Sequence, residues 1–149
     1  MEHLLEREQL VARPLADVFA FFADSGNLEA LTPPWLHFAI LTPRPIEMRP
    51  GTLIAYRLRV HGVPVRWVTR IESWEELRGF VDTQLRGPYR SWHHTHSFDE
   101  APGGTIVRDR VRYSLPLGPL GELAHALIVR RDLERTFEFR RAQIVLLLG

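Results

Sequence analysis

Two periodicities alternate along the chain. Together they predict one strand, two short helices, six further strands and one long helix. Residues 3–12 alternate loosely between apolar and polar side chains, which predicts the first strand. Apolar residues then recur at helical spacing from Pro14 to the break at Asp24-Ser25-Gly26. A second short helix over 27–31 ends at Thr32-Pro33-Pro34, because proline does not continue a helix.

The middle of the chain returns to a period of two residues. It predicts six strands, at 35–41, 52–60, 63–74, 77–86, 91–98 and 105–115. Turn signals such as His61-Gly62 and Pro102-Gly103-Gly104 separate them, and the prolines of 42–51 predict a loop there. Strands at this regular spacing, joined by hairpins, predict a meandering antiparallel sheet.

The last quarter of the chain has the period of a helix, from Pro119 to about Leu148. One face of this helix collects the apolar residues Ala126, Val129, Leu133, Phe137, Ile144 and Leu147. A sheet and an amphipathic helix must bury their apolar faces on each other, and a twisted sheet of about seven strands curls around the helix. We therefore predict an α+β fold, a single domain over 1–149, with a candidate site between sheet and helix.

Composition narrows the classes of function. The 149 residues are 45% hydrophobic and 25% charged, which is typical of a globular domain. Cysteine is absent, which excludes disulfides, thiol nucleophiles and thiolate metal sites. All 19 basic residues are arginine, so Schiff-base chemistry on lysine is excluded as well. The net charge of +1 argues against nucleic acid as a partner.

The two ends of the chain carry no recognisable targeting signal. Residues 1–10 mix charged and apolar side chains and lack the apolar stretch of a signal peptide. The apolar run 144–148 is too short to cross a bilayer. We therefore expect a cytoplasmic protein without stable membrane insertion.

His94 and His96 lie two residues apart, flanked at the same spacing by two aromatic residues, so they project from one face of a strand. Their Cα atoms are then roughly 7 Å apart, a spacing that two ligands of one metal ion can use. A third ligand would have to be Asp82 or Asp109 on an adjacent strand. Because no recognised metal motif is present, we expect imidazoles that line a site or bond within it, with no metal and no cofactor.

Arg140 falls inside the apolar face of the last helix. A guanidinium there must pair with a carboxylate, bind an anionic group of a ligand or reach solvent. Asp82 and Asp109 are the carboxylates able to pair with it, and a ligand carboxylate or phosphate can bind it bidentately instead. The sequence leaves all three alternatives open.

Several motifs stand out: Phe80-x-Asp82-x-Gln84-x-x-Gly87-Pro88-Tyr89, Trp92-x-His94-x-His96-x-Phe98, Gly103-Gly104-Thr105 and Asp109-x-Val111-x-Tyr113-x-x-Pro116. With the order of elements, they resemble the START, birch-pollen-allergen-like and polyketide-cyclase-like proteins (the SRPBCC superfamily). Within it, the chain resembles a bacterial cyclase/dehydrase-like branch. The resemblance spans the whole chain. It implies a helix-grip fold, with a curved sheet wrapped around the C-terminal helix over a hydrophobic-ligand pocket, and it does not specify a reaction.

The resemblance also bears on the strand at 77–86. Asp82 and Gln84 share one face of it, Val81 and Leu85 share the other, and periodicity does not decide which face is inward. The family pattern favours the polar pair inward. The expected ligand-binding residues are Trp35, Tyr56, Trp67, Asp82, Gln84, Trp92, His94, His96, Asp109, Leu133, Phe137 and Arg140.

We expect a carrier or sensor of a small hydrophobic molecule, such as a lipid, isoprenoid, quinone or polyketide-like compound, rather than an enzyme. The alternative is a polyketide cyclase, aromatase or dehydratase in which His94 or His96 acts as general acid or base. A third hypothesis is a protein-partner module, which an exposed apolar patch at Val145–Leu148 would favour. A homodimer is compatible with each of these.

Overall fold

The computed structural model describes residues 1–149 and contains the antiparallel sheet of seven strands that the sequence predicts. The strands are β1 (His3–Val11), β2 (Ala39–Ile40), β3 (Leu53–Val60), β4 (Val63–Glu75), β5 (Gly79–Arg86), β6 (Ser91–Ala101) and β7 (Gly104–Ser114). Their order across the sheet is β1-β7-β6-β5-β4-β3-β2. The strands from β2 to β7 therefore form the predicted meander, and β1 pairs with β7 at one edge.

Helices fill the connection after β1 and the C-terminal region. They are α1 (Leu15–Ala23), α2 (Asn27–Ala30), a 3-10 turn (Pro34–Leu36), α3 (Gly118–Ala124), a π-helical turn (His125–Val129) and α4 (Arg130–Leu148). The last three are continuous and form the long helix around which the sheet curves. This arrangement confirms the predicted helix-grip fold.

The predicted strand at 35–41 is wrong over its first half. Pro34–Leu36 form a 3-10 turn, and His37, with φ of 48°, lies in the left-handed region. Only the two residues of β2 pair with β3. Proline suits the first position of a helical turn because its φ is preset and no amide donor is needed there, so local backbone preference overrides the alternating pattern.

The predicted apolar face of the long helix is wrong at Ala126 and Leu147, which are exposed. A π turn contains one residue more than an α turn, and the buried position shifts from Ala126 to His125. At the other end, Leu148 lies one i+4 step from Ile144 and is buried with it.

The partner-module hypothesis requires an exposed patch at Val145–Leu148. Val145, Leu146 and Leu147 are exposed in the last turn of α4, but Leu148 is buried in the core, so the patch is smaller than expected. None of the helices has an apolar run long enough to cross a membrane.

Two clusters of buried side chains join the helices to the concave face of the sheet. The larger packs α1 and the C-terminal end of α4 on the sheet, around Phe19, Phe98 and Ile144. The smaller packs the start of α4 on β1 and β7, around Leu133 and Val111. Neither cluster includes a residue of β3. The concave face is therefore left unfilled towards β3.

The close approach of β5 and β6 gives a test of this packing. A Cβ atom at Gly79 would lie 2.1 Å from the backbone oxygen of His96, and backbone cannot move aside as a side chain can. We expect Gly79→Ala to lower the free energy of unfolding by about 3 kcal/mol, measured by urea denaturation.

Gly26→Ala is the matched control. Its Cβ would meet only the ends of the Arg44 and Asp24 side chains, at 3.1 Å, and its φ of −61° suits alanine. We expect a change within about 0.5 kcal/mol. Equal effects of the two substitutions would contradict the close strand approach.

Candidate functional site

An apolar cavity of about 750 Å3 lies between the concave face of the sheet and α4. Of the 38 residues that line the cavity, 23 are hydrophobic, so its wall is mainly apolar. Aromatic rings form part of that wall. Tyr56 and Trp67 stack with centroids 6.1 Å apart, and Trp92 meets Trp67 edge-on at 5.2 Å. Walls of this kind suit planar apolar molecules.

One polar cluster interrupts the apolar wall. Its members are Asp82, His94, His96, Asp109 and Arg140. The register of three strands assembles it, since Asp82 of β5 is opposite His94 of β6 and His96 is opposite Asp109 of β7. Residues opposite each other, or two apart on one strand, share a face of the sheet, so these four face the long helix together. Arg140 reaches them from α4.

Hydrogen bonds join the carboxylates and imidazoles of the polar cluster along the diagonals of this register. His94 Nε2 lies 2.8 Å from Asp109 Oδ1, and His96 Nε2 lies 2.6 Å from Asp82 Oδ2. The two imidazole rings stack with centroids 3.7 Å apart. Because all four side chains are largely buried, little water competes for these bonds, and each ring has a fixed orientation.

Arg140 forms the internal ion pair, the first of the three alternatives that the sequence left open. Its Nη2 donates to Asp109 Oδ1 at 3.2 Å, and its guanidinium carbon lies 5.3 Å from the centre of the Phe22 ring. The side chain also lines the cavity, and its Nε is buried without a hydrogen-bond partner. This N–H group is therefore unpaired and shielded from the cavity space.

The charges within the polar cluster follow from burial and pairing. Burial acts to raise the pKa of Asp82, but the hydrogen bond from His96 and the nearby charges outweigh it and hold that pKa below its usual range. Burial is likewise outweighed at Asp109, where Arg140 and His94 hold the pKa of the carboxyl well below its usual range. Burial and the neighbouring His94 lower the pKa of His96 to about 4. At neutral pH the polar cluster thus contains two carboxylates, one guanidinium and an uncharged His96.

The structure brings most of the expected ligand-binding residues to the cavity. Those that line it are Trp35, Tyr56, Trp67, Asp82, Trp92, His94, His96, Leu133, Phe137 and Arg140. Asp109 lies behind this wall, where it holds His94 and Arg140 in place.

Gln84 is not part of the cavity wall. Its side-chain amide donates to the backbone oxygen of Tyr89 at 2.7 Å and accepts from the backbone N–H of Tyr89 at 3.1 Å. Gln84 therefore holds the turn between β5 and β6. The expected inward direction applies to Asp82, while Leu85 on the opposite face of the strand is 52% exposed.

Sequence reasoning missed much of the cavity lining, and two polar parts of it matter for the site. Thr69 lines it beside Asp82, and its alternation with Trp67 along β4 is the signal that could have identified it. His61, in the turn between β3 and β4, meets Asp132 of α4 with 2.6 Å between Nε2 and Oδ2, and both residues line the cavity. Periodicity carries no information on this second contact, because it joins a turn to a helix 71 residues away.

Comparison with known proteins adds a family match. The family model described as polyketide cyclase/dehydrase and lipid transport matches residues 11–139. No curated protein sequence matches the chain.

Several solved structures have a similar fold. The Zhui aromatase/cyclase from Streptomyces sp. R1128 aligns with a TM-score of 0.77 at 16% identity, over 97% of this chain and 92% of the other. Ara h 8.0201 aligns with a TM-score of 0.64 at 16% identity, over 97% and 98%. TTHA0849 from Thermus thermophilus aligns with a TM-score of 0.65 at 20% identity, over 100% of both chains. At these identities the likeness concerns the fold.

The low pKa of His96 predicts a loss of stability in acid. The unfolded chain takes up this proton near pH 6.5 and the folded protein only near pH 4, so the free energy of unfolding rises with pH across that window. We expect it to fall by roughly 3 kcal/mol between pH 7 and pH 4 through this residue. Urea denaturation at a series of pH values measures it.

His96→Asn is the control, because it removes the titrating ring. Burial also lowers the pKa of His125, but that residue is present in both proteins. Because His96 helps to lower the pKa of Asp82, the difference between the two proteins reports His96 together with its effect on Asp82. Parallel stability curves for the two proteins would contradict the assignment.

Proposed function

Because the chain belongs to the polyketide cyclase/dehydrase and lipid transport family, we propose that it binds a small hydrophobic molecule between the sheet and α4. The observation that carries the proposal is the cavity itself, about 750 Å3 of largely apolar space with one polar cluster on its wall. This volume lies within the range of small-molecule sites, about 300–1,000 Å3. A lipid, isoprenoid, quinone or polyketide-like compound has the required chemistry.

The polar cluster and its neighbours provide both donors and an acceptor for one end of the ligand. Arg140 Nε and Trp67 Nε1 are buried N–H donors without partners. Asp82 Oδ1 accepts only a long contact of 3.5 Å from Thr69. An unpaired buried polar atom costs about 1–3 kcal/mol. Both N–H groups are shielded from the cavity, so a carbonyl or hydroxyl of the ligand gains that energy only where neighbouring side chains shift on binding. The apolar body of the ligand then lies against the aromatic wall.

We place the entrance between the 3-10 turn and the β3–β4 hairpin. Trp35 lines the cavity while remaining half-exposed, with the guanidinium of Arg135 5.0 Å above its ring. Across from it, the contact between His61 and Asp132 spans the edge of the cavity. Such exposed pairs contribute about 0–1 kcal/mol, so this contact can open at little cost.

A second candidate function is acid–base catalysis of the cyclase or dehydratase type. It is favoured by His96, an uncharged imidazole that faces the cavity with Asp82 as its partner. Such a ring can take a proton from a carbon beside a carbonyl; the carbanion attacks a second carbonyl of the same molecule, and the alkoxide takes the proton back. With a pKa of about 4, however, His96 is a weaker base than free imidazole, and Nδ1, the nitrogen not bonded to Asp82, is shielded from the cavity. We therefore rank binding first.

Filling the cavity tests the binding proposal. Leu58 of β3 lines the cavity, and Leu58→Trp places an indole in the space that a ligand needs. We expect the affinity for prodan, a neutral naphthyl ketone, to fall at least tenfold, or by about 1.4 kcal/mol. Fluorescence titration measures it.

The control is Leu53→Trp on the same strand. Leu53 is 51% exposed and does not line the cavity, so this variant should bind prodan as the unmodified protein does. Absence of prodan binding, together with native mass spectra showing no co-purified apolar molecule, would overturn the proposal.

His96→Asn separates the two candidate functions. If the site is catalytic, the variant loses cyclisation of a poly-β-ketone thioester by at least about a hundredfold, because the base is gone. Its prodan affinity stays within about threefold, since asparagine still hydrogen-bonds Asp82. Product analysis by mass spectrometry gives the readout. Unchanged turnover in the variant would exclude His96 as the base.

A further inference from the structure

A second group of ionisable side chains lies outside the cavity, where β1 meets α3. His3, Glu122 and His125 form it, and none of them lines the cavity. His3 Nε2 is 3.0 Å from Glu122 Oε2, and the rings of His3 and His125 stack with centroids 3.5 Å apart. We name these three residues the terminal triad.

The three residues of the terminal triad lie on three different secondary-structure elements. His3 begins β1 and pairs with Tyr113 of β7 in the sheet. Glu122 lies on α3, and His125 begins the π-helical turn, which directs its side chain into the protein. Tyr113 Oη is 2.7 Å from His125 Nε2. Because β1 is far in sequence from α3 and the π-helical turn, the three side chains converge only in the folded protein.

We propose that the terminal triad binds a divalent transition-metal ion of the Zn2+ class. Two imidazoles and one carboxylate are the donor set that borderline ions such as Zn2+ prefer. One ligand atom from each residue lies within 4.8 Å of the others. Zinc sits about 2.0–2.2 Å from nitrogen and oxygen ligands, so small side-chain rotations that open the ring stack bring all three atoms to one ion.

The surroundings of the terminal triad support an ion there. Tyr113 can accept a hydrogen bond from Nε2–H of His125, which leaves Nδ1 of that ring free to coordinate, the usual outer-shell arrangement of a metal-binding histidine. The Glu122 side chain is one-third exposed, which gives an ion access from solvent and leaves room for a water ligand.

Asp82, His94 and His96 of the polar cluster form a second group with suitable spacing. There, however, the guanidinium of Arg140 already supplies a cation. Glu122 has no arginine partner, and the cation nearest to it is the exposed N-terminal ammonium of Met1, 3.8 Å from Oε1, which a metal ion can displace. The terminal triad is therefore the better cation site.

Binding of the ion would join the start of β1 to the long C-terminal helix. An ion that binds only the folded state stabilises it by mass action. At a hundredfold excess of Zn2+ over the dissociation constant, we expect Tm to rise by about 5–10 °C.

The test is a titration of tag-free, EDTA-treated protein with Zn2+ by calorimetry, and with Co2+ by visible absorption. We expect one ion per chain and the absorption spectrum of tetrahedral Co2+. Glu122→Gln keeps the size of the side chain and removes its charge, and should weaken binding at least tenfold. His3→Asn should do the same, and both variants should fold, because neither residue is part of the packed core.

His96→Asn locates the ion. It alters the polar cluster and leaves the terminal triad intact, so it should bind Zn2+ as the unmodified protein does. Loss of binding in His96→Asn with retention in His3→Asn would place the ion in the polar cluster and overturn the proposal. Absence of Zn2+ binding at millimolar concentration would also overturn it. Prodan binding in EDTA is a separate readout, so failure of the metal site leaves the proposed function untouched.

Discussion

The ion pair between Arg140 and Asp109 joins the long helix to the sheet at the boundary between packed core and cavity. Removing two charges from water costs several kcal/mol per ion, and only good geometry with further hydrogen bonds offsets that cost. Asp109 meets this condition with one oxygen, Oδ1, which receives Arg140 Nη2 at 3.2 Å and lies 2.8 Å from His94 Nε2. One carboxylate therefore determines both where the guanidinium of α4 lies and how the imidazole of His94 is turned.

The rest of the polar cluster depends on that carboxylate. His94, held by Asp109, stacks on His96, and His96 in turn holds Asp82 at the cavity wall. Two carboxylates face one guanidinium, so the polar cluster carries excess negative charge unless an imidazole is protonated. On this balance, the proposed ligand is better served by a neutral carbonyl or hydroxyl than by an anionic group, which would be a third buried anion.

The cavity exists because the packed side chains cover only part of the concave face of the sheet and leave the part near β3 open. Phe19, Phe98 and Ile144 fill the space beneath α1 and the end of α4, while β3 contributes nothing to either packed cluster. The long helix is thus supported at both ends of its contact with the sheet. The two packed clusters therefore hold the long helix on the sheet while the space beside β3 stays unfilled.

The sequence by itself determined the order of elements, because helices and strands are expressed in periods of two to four residues. The same period placed Arg140 within the apolar face of the last helix but left its partner open, and the family resemblance implied the helix-grip fold. It did not determine which carboxylate Arg140 meets, since Asp82 and Asp109 lie on the same face of the sheet and strand register made the choice. Nor could it assign Gln84 to a turn, or bring His3 to Glu122 and His125. Local periodicity records which face a side chain occupies. Its partner depends on how distant elements pack, and only the tertiary structure decided that.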